Sequence, residues 1–530
     1  MNFFIRKFFV FALVALMFVA AEAQQAWTPE MQVKTKVVVA PQVSPDGRRV
    51  TYTVSEAVMT ADKSEFVSQI FMANADGGNT VQLTYGEKSS TNPKWSPDGN
   101  FLAFTSNRKD NKNNLYVLRL NGGEAEPLTD VKTSVSNFDW SPDSHWIAFT
   151  MTDKKSEDEE KNDKGKNDFR NVAGWSPDGK RIYFSEAKGT GTRIYALDVA
   201  ANKITEINET DEVLSGVNLN RTGTMLGFVK QNPETPPEAF VSKIGKFAPV
   251  QISRANVDIP KMPIGKTKVV KWKSKDGKEI EGLLTYPVGY QTGQKVPLIL
   301  NIHGGPAGVF QQTFIGGRGV YPLATFAARG YAILRPNPRG SSGYGTEFRR
   351  ANIKGWGMGD YEDLMAGVDK VVEMGVADPN RLGVMGWSYG GFMTSWIVTQ
   401  TKRFKVASAG APVTNLMSFN GTADIPNFVP DYFGGQAWEN MEIYQKHSPM
   451  FNVKGVTTPT LIQHGDADVR VPITQGYEFY NALKAQNVPV RMIVLPRQPH
   501  GPNEPKMQIA AMQSNLDWFE KYLGTNSAQK

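Results

Sequence analysis

A short turn motif recurs through the N-terminal half of this 530-residue chain and restricts its fold more than any other feature. Proline favours the second position of such a turn, aspartate bonds back to the backbone, and glycine accepts the last position. An alternating apolar run follows each copy, as in Phe101-Leu102-Ala103-Phe104-Thr105, which is typical of a strand. The copies are Val43-Ser44-Pro45-Asp46-Gly47, Trp95-Ser96-Pro97-Asp98-Gly99, Trp140-Ser141-Pro142-Asp143-Ser144, Trp175-Ser176-Pro177-Asp178-Gly179 and a degenerate Asn220-Arg221-Thr222-Gly223.

The spacing of the motif predicts a repeat architecture. Successive copies start 35 to 52 residues apart, near the length of one four-stranded propeller blade. We therefore expect residues 27–262 to form an all-β, propeller-like N-terminal domain of about five blades. The mixed-charge stretch 153–168 has no apolar period, which predicts a solvated loop, and the short step around it indicates irregular or missing strands. The alternative for its Glu159 and Glu160 is an acidic subsite for a substrate amine.

The second half has a different pattern. Pro260 and Pro263 indicate a linker, and from Lys266 onward short apolar runs alternate with helical stretches. Runs such as 296–302 and 382–386 are nearly continuous in apolar residues, as expected for parallel strands buried on both faces. We predict an α/β domain over residues 266–525.

A Gly-x-Ser-x-Gly sequence follows one of these strands directly. Ser388 stands in Gly386-Trp387-Ser388-Tyr389-Gly390, between the strand at 382–386 and a helix-compatible segment. This order of strand, sharp turn and helix is the nucleophile elbow of the α/β-hydrolase fold, which exposes the serine hydroxyl at the edge of the sheet. We predict that Ser388 is a catalytic nucleophile.

The serine needs a base, and the chain has only five histidines. His145 lies in the third repeat, His303 begins a glycine turn, His447 lies in a polar loop, and His464 ends a strand just before a candidate acid. His500 remains. It follows the strand predicted at 490–495 and precedes Gly501, where α/β-hydrolases place their histidine.

The orienting acid is expected after a strand, between the serine and the histidine. Asp468 and Asp466 both lie in that interval. We choose Asp468 with Asp466 as the alternative, because the segment at 465–472 resembles the pattern G-x-x-D-x-R-V-P of the serine peptidase family named below, in which the acid is at the fourth position. An oxyanion also needs backbone donors. The Tyr389 amide supplies one, and the turn at 303–306 supplies the second through Gly304. The alternative for that turn is a simple strand end.

Several motifs together resemble the prolyl oligopeptidase family of serine peptidases, especially its dipeptidyl-peptidase and acylaminoacyl-peptidase branches. The resemblance covers residues 266–523 well, whereas the repeats resemble those of this family and of TolB-like proteins. It implies hydrolysis of short peptides through an acyl-enzyme, with no cofactor and no metal. The motifs are GWSYGG around Ser388, HGGP at 303–306, NPRGSSGYG at 337–345, WGMGD at 356–360, GDADVRVP at 465–472 and PHG at 499–501.

The resemblance also implies substrate contacts. It places Arg470 against the substrate carbonyl before the cleaved residue. It places Val413, Leu416 and Phe419 around an apolar pocket for the residue whose bond is cut, with an ordinary core role as the alternative for each. Specificity for a free or a blocked N-terminus stays open.

Two other functions compete with this one. An esterase would use the same fold and the same residues. A TolB-like periplasmic binding module would instead recruit a protein partner through the propeller and carry an inert hydrolase half.

The N-terminal residues and the composition indicate where the protein is located and which functions are excluded. A basic start, an apolar run and Ala21-Glu22-Ala23 predict a signal peptide over residues 1–23, cleaved after Ala23, and therefore a secreted or periplasmic protein without stable membrane insertion. The absence of cysteine excludes a thiol nucleophile and disulfides. The net charge of +7 is spread thinly, and no basic cluster with aromatic residues indicates nucleic-acid binding. A homo-oligomer is compatible with the sequence.

Overall fold

The computed structural model describes residues 26–131, 133–151, 172–259 and 261–524. Its N-terminal part is all β, with five antiparallel sheets, each built from strands that follow one another in the chain. The strands are β1 Val37–Val43, β2 Arg49–Met59, β3 Ser64–Asn74, β4 Val81–Gln82, β5 Ser90–Trp95, β6 Phe101–Lys109, β7 Lys112–Arg119, β8 Glu126–Pro127, β9 Val135–Trp140, β10 Ile147–Met151, β11 Val172–Trp175, β12 Arg181–Lys188, β13 Gly191–Asp198, β14 Lys203–Glu206, β15 Val213–Leu219, β16 Met225–Asn232, β17 Thr235–Lys243 and β18 Lys246–Gln251. Each sheet has four strands except the third, of which β9 and β10 are described.

Each copy of the turn motif joins the first two strands of its sheet. In the second copy the Gly99 amide donates to the Ser96 carbonyl. The Ser96 hydroxyl donates to the Asp98 carboxylate and accepts a hydrogen bond from the Phe101 amide. The bond from Ser96 also lowers the pKa of Asp98. In the degenerate copy Asn220 Oδ1 accepts the backbone amides of Thr224 and Met225. The turn-then-strand interpretation of the motif agrees with this geometry.

The first and fifth sheets close the ring by packing against each other. Asn218 Nδ2 donates to the Pro41 carbonyl, and Thr222 Oγ1 donates to the Pro45 carbonyl over 3.3 Å. Among the strands that the structure describes, none passes from one of these sheets into the other. We call this boundary the seam between the first and fifth sheets.

The C-terminal part contains one eight-stranded sheet in the order β19-β20-β22-β21-β23-β24-β25-β26. Strands β21 to β26 pair in parallel, whereas β19 and β20 are antiparallel. The strands are β19 Thr267–Lys273, β20 Glu279–Thr285, β21 Val296–Ile302, β22 Ala332–Asn337, β23 Ala377–Trp387, β24 Val406–Gly410, β25 Thr460–Gly465 and β26 Val490–Leu495.

Helices cover both faces of this sheet, so that its central strands are fully buried and hydrophobic cores lie on each side. This is the α/β-hydrolase arrangement. Apart from one N-terminal helix, Pro29–Lys34, the helices belong to this domain: Leu323–Ala328, Thr346–Arg350, Gly359–Glu373, Tyr389–Gln400, Leu416–Thr422, Phe428–Phe433, Met441–Lys446, Thr474–Ala485 and Pro505–Leu523, with a 3₁₀ turn at Pro449–Asn452. Among the described residues, no helix combines the length and the apolarity that a membrane crossing needs.

The two domains meet at the edge of the hydrolase sheet where its parallel strands end. On one side Lys506 bonds the turn between β2 and β3 through Ser64 and the Thr60 carbonyl. On the other side the Gln312 amide donates to the Thr190 carbonyl over 2.8 Å. The motif turns begin the second strands of their sheets, and these strands run toward the hydrolase domain, so the turns lie at the far end of the propeller.

The segment before β1 packs on the hydrolase domain as well as on the propeller. Trp27 is 3% exposed and contacts Phe314, and Gln32 Nε2 donates to the Gly317 carbonyl over 3.0 Å. The first sheet begins at Val37, and the N-terminal domain limit at Trp27 stays a prediction. Nothing in the local sequence signals a partner almost three hundred residues away.

Two predictions fall outside the described residues. The signal peptide over 1–23 is one, and the solvated loop at 153–168, with Glu159 and Glu160, is the other.

Candidate active site

Ser388 occupies a strained turn between β23 and the helix Tyr389–Gln400. Its backbone has φ 63° and ψ −121°, a left-handed φ that is uncommon for a residue with a side chain and costly unless the surroundings enforce it. The Ser388 amide donates to the Gly410 carbonyl on the neighbouring strand over 2.9 Å. The hydroxyl is thereby held at the edge of the sheet, as the elbow motif predicts.

The flanking glycines explain how strand and helix approach so closely. A Cβ at Gly390 would lie 2.1 Å from the Ile302 carbonyl oxygen, and one at Gly386 would lie 2.5 Å from the Gly390 oxygen. These contacts are with backbone, which cannot move aside as a side chain would. The two glycines are therefore required by contact at this turn.

His500 and Asp468 complete a hydrogen-bonded chain with Ser388. His500 Nε2 lies 2.9 Å from Ser388 Oγ, and His500 Nδ1 lies 2.8 Å from Asp468 Oδ2. The carboxylate is fully buried, whereas the imidazole keeps 27% of its side-chain surface exposed. Of the two acids that the sequence left open, Asp468 contacts His500, while Asp466 is exposed and accepts the Arg497 amide.

The Asp468 carboxylate receives more donors than His500 alone. Its Oδ1 accepts the backbone amides of Arg470 and Val471 at 3.0 and 2.9 Å, and its Oδ2 lies 3.4 Å from His464 Nε2. Burial would raise the pKa of Asp468, but the hydrogen bonds from His464 and His500 outweigh it and hold that pKa well below its usual range. Asp468 is therefore ionised at neutral pH.

The loop that carries His500 is fastened to the elbow. Trp387 Nε1 donates to the His500 carbonyl over 2.7 Å. Behind it, the Gln498 side chain accepts the amides of Asn503 and Glu504. These bonds hold the imidazole close to the serine.

Two other buried histidines, His303 and His447, form hydrogen bonds with backbone carbonyls. His303 Nδ1 bonds the Gly304 carbonyl over 2.8 Å, and burial lowers the pKa of His303 to about 4. His447 Nδ1 bonds the Trp356 carbonyl over 2.7 Å, and burial lowers its pKa as well. His145 is exposed on the propeller.

Free backbone amides lie next to the serine. A Cβ at Gly304 would lie 3.4 Å from Ser388 Cβ and 3.9 Å from its Oγ, so this glycine borders the nucleophile. Among the described residues, the amides of Tyr389 and Gly304 donate to no other group. Unpaired donors beside a nucleophile are what an oxyanion hole requires.

Family models match one segment in each half of the chain. Residues 321–526 match the model of the prolyl oligopeptidase family. This chain carries a prolyl oligopeptidase family domain. Residues 30–173 match the TolB beta propeller domain, which lies before the prolyl oligopeptidase family domain in the chain.

Curated relatives cover part of the chain. The uncharacterized peptidase YuxL of Bacillus subtilis is 32% identical over 355 residues, which are 66% of this chain and 53% of YuxL. The acylamino-acid-releasing enzyme of Arabidopsis thaliana is 34% identical over 241 residues, which are 44% of this chain and 31% of that enzyme. The chain thus spans about half the length of the curated relatives it matches, or less.

The fold has close counterparts among solved structures. The Pyrococcus horikoshii acylaminoacyl peptidase superposes with a TM-score of 0.81 at 20% identity, covering 94% of this chain and 98% of that protein. At this identity the likeness concerns the fold. It includes both the propeller and the prolyl oligopeptidase family domain.

Arg470 lies beside the triad but is engaged by an acid. Its Nε donates to Asp424 Oδ1 over 2.6 Å, and its Nη2 lies 3.3 Å from Asp424 Oδ2. The side chain is 48% exposed. A substrate carbonyl would meet a guanidinium that Asp424 already orients.

The three residues suggested for an apolar pocket lie in the core of the prolyl oligopeptidase family domain. Val413, Leu416 and Phe419 are 4%, 0% and 2% exposed and belong to one large apolar cluster. Their positions fit the core role that the sequence left as an alternative.

Sequence reasoning missed two residues that touch this site. His464 was set aside as a base, and the structure places it against Asp468; the four-residue separation from the acid could have suggested it. Asp360 was seen only as part of a motif, yet it accepts the Tyr389 hydroxyl. In the described parts of the chain, no group of three or more His, Asp or Glu side chains is arranged to hold a metal ion.

Proposed function

We propose that this chain is a serine peptidase that hydrolyses short peptides through an acyl-enzyme on Ser388. The observation that carries the proposal is the continuous chain from Ser388 Oγ to His500 Nε2 at 2.9 Å and from His500 Nδ1 to Asp468 Oδ2 at 2.8 Å. Both distances are ordinary hydrogen-bond lengths with the base between nucleophile and acid.

The reaction follows from these contacts. Ser388 Oγ attacks the scissile carbonyl carbon as His500 Nε2 takes the hydroxyl proton, and the free amides of Tyr389 and Gly304 stabilise the oxyanion. The carbon–nitrogen bond then breaks, and His500 returns the proton to the leaving amine. Water, deprotonated by His500, attacks the acyl carbon, the bond from that carbon to Ser388 Oγ breaks, and His500 returns the proton to Oγ as the acid leaves. Asp468, ionised throughout, keeps His500 in the tautomer whose Nε2 can accept.

The position of the propeller supports short peptides as substrates. Its sheets contact the hydrolase domain on two sides of the edge that holds Ser388, through Lys506 and through Gln312. A site between two packed domains admits small or extended substrates more readily than folded proteins. Arg470, fixed by Asp424, is proposed to bind the carbonyl before the cleaved residue.

The test compares a dipeptidyl p-nitroanilide with a free N-terminus and the same compound N-acetylated, with Pro and Ala among the residues before the cleaved bond. Ser388→Ala protein is the blank and should lose about 10⁶-fold in kcat. Cleavage of only the free form would indicate a dipeptidyl-peptidase. Preference for the acetylated form would indicate an acylaminoacyl-peptidase or an oligopeptidase.

Other outcomes would overturn the proposal. Full activity in Ser388→Ala would remove Ser388 from the mechanism. Hydrolysis of esters but of no peptide would indicate an esterase. No turnover, together with no fluorophosphonate labelling of Ser388, would favour a TolB-like binding module.

Export is a separate proposal. The basic, apolar and Ala21-Glu22-Ala23 segments of residues 1–23 support a secreted or periplasmic location after cleavage behind Ala23. N-terminal sequencing of the mature protein from a native host would test it, and an intact Met1 on that protein would refute it.

A further inference from the structure

The residue after the nucleophile is tied to a buried acid. The Tyr389 hydroxyl donates to Asp360 Oδ2, and the two residues are 3% and 0% exposed. Tyr389 also follows the strained Ser388, and its free backbone amide borders the nucleophile. The side chain and the amide of one residue thus face two different environments.

Asp360 is itself held firmly. It is the second residue of the helix Gly359–Glu373, and its Oδ1 accepts the Tyr361 amide over 2.9 Å. The positive end of this helix favours a carboxylate at that place. Asp360 therefore offers the Tyr389 hydroxyl a fixed acceptor.

Burying this polar pair costs free energy, which argues against a purely structural role for the contact. No cation pairs with the Asp360 carboxylate among the described salt bridges, and burial raises the pKa of Asp360 to about 6. A phenylalanine at 389 could pack against Trp356 and Phe392 as the tyrosine ring does. A buried polar pair that apolar residues could replace without loss of packing is retained where it fixes one arrangement.

We propose that Asp360 is a positioning residue for the oxyanion hole, which acts by holding Tyr389 so that the Tyr389 amide is aimed at the developing oxyanion. This inference rests on the proposed peptidase function and names a residue that acts through Tyr389. The bond to Asp360 resists rotation of Tyr389 about the strained elbow. Losing it leaves the triad intact and makes the oxyanion donor less ordered.

The test uses two variants that remove the bond and one that keeps it. Tyr389→Phe removes the donor, and Asp360→Leu removes the acceptor. Each should lower kcat about 10- to 100-fold with KM within about twofold, because a displaced oxyanion donor affects the transition state and not substrate binding. The double variant should lose no more than the worse single variant. Asp360→Asn, which can still bond the tyrosine hydroxyl, should stay within about fivefold of the wild type at pH 8.

A matched control separates positioning from stability. Tyr344 also donates to a carboxylate, Glu281 Oε1, over 3.0 Å. Tyr344→Phe should lower the melting temperature as Tyr389→Phe does and leave kcat within about twofold. Affinity for a peptide aldehyde, which forms a tetrahedral adduct with the serine, should fall with kcat in Tyr389→Phe and stay unchanged in Tyr344→Phe.

The inference stays testable if one of the variants does not fold. If Asp360→Leu does not fold, the comparison of Tyr389→Phe with Asp360→Asn decides. The variant that loses the bond should lose kcat and aldehyde affinity, and the variant that can keep it should not.

The outcomes are distinguishable. Full kcat and aldehyde affinity in Tyr389→Phe, or a loss in Asp360→Asn as large as the loss in Tyr389→Phe, would overturn the inference, provided that the wild type shows Ser388-dependent cleavage. If the wild type neither cleaves peptides nor reacts at Ser388, the proposed function itself has failed.

Discussion

The imidazole of His464 lies against the carboxylate of Asp468, with Nε2 3.4 Å from Oδ2. The same oxygen lies 2.8 Å from His500 Nδ1, so ring nitrogens of two histidines approach one carboxylate oxygen. His464 is fully buried, and the same Nε2 makes its shorter contact, 2.7 Å, with the Val471 carbonyl. His464 can therefore orient Asp468 in the way that Asp468 orients His500.

We predict that His464→Phe lowers kcat about tenfold with little change in KM, because Asp468 loses one orienting contact and keeps its two backbone amides. His464→Gln retains a side-chain N–H at a similar distance and should recover most of the loss. Steady-state kinetics on both variants would check this. Equal kcat values for the Phe and Gln variants would show that the N–H is unimportant.

We predict that Asp468→Asn lowers kcat about 10⁴-fold, since the amide nitrogen would face His500 Nδ1 and favour the wrong tautomer. The matched variant Asp466→Asn should stay within about threefold, because that carboxylate is exposed and does not reach His500. If the effects were reversed, the acid of the triad would be misassigned.

The same carboxylate makes stability depend on pH. The pKa of Asp468 is depressed in the folded protein, so its contribution is present above the unfolded value of about 4 and is lost as the pH falls further. We expect the wild type to exceed Asp468→Asn by about 2–4 kcal/mol in unfolding free energy at pH 7. Urea unfolding at pH 7 and pH 3 would check this, and a gap that does not shrink at pH 3 would refute it.

Backbone contact at the elbow predicts a sharp difference between two glycines. Gly390→Ala would place a methyl 2.1 Å from the Ile302 oxygen, so we expect a loss of about 3 kcal/mol or more and no activity. Gly501, next to His500, has open space around it, and Gly501→Ala should change stability by less than about 0.5 kcal/mol. Thermal unfolding and kcat of both variants would test the contrast. A stable, active Gly390→Ala protein would contradict it.

Arg318 joins the two domains. Its guanidinium donates to the Thr35 and Ser55 carbonyls over 2.8 and 2.6 Å and stacks 4.1 Å from the Phe66 ring centroid, and burial lowers its pKa to about 10. Arg318→Ala should cost about 2–4 kcal/mol and separate the unfolding of the propeller from that of the hydrolase domain. Calorimetry would show two transitions, and a single unshifted one would exclude this role.

Local sequence was enough to predict the main features. The repeated turn predicted the sheets because each turn forms its hydrogen bonds within a few residues, and Ser388, Asp468 and His500 each follow a strand in the order that the hydrolase fold requires. Burial of long apolar runs predicted the parallel strands. These signals are all short in sequence.

Features that depend on distant contacts were not predictable in the same way. Docking of Trp27 on Phe314 and the bond between Asp360 and Tyr389 join segments that only the folded chain brings together. A pocket at Val413 and its neighbours depends on which way side chains face; these side chains are buried in the structure, and the pocket stays a prediction. Composition and spacing carry no information on these points.

At the seam, the first and fifth sheets are joined through side chains, and among the described strands none pairs across it. Asn218 and Thr222 bond backbone carbonyls across it, and apolar side chains of both sheets form one buried cluster there. Separating the two sheets would leave the backbone hydrogen bonds within each sheet intact, but it would expose that cluster to water. Opening of this boundary would therefore cost hydrophobic burial and no strand pairing among the described residues.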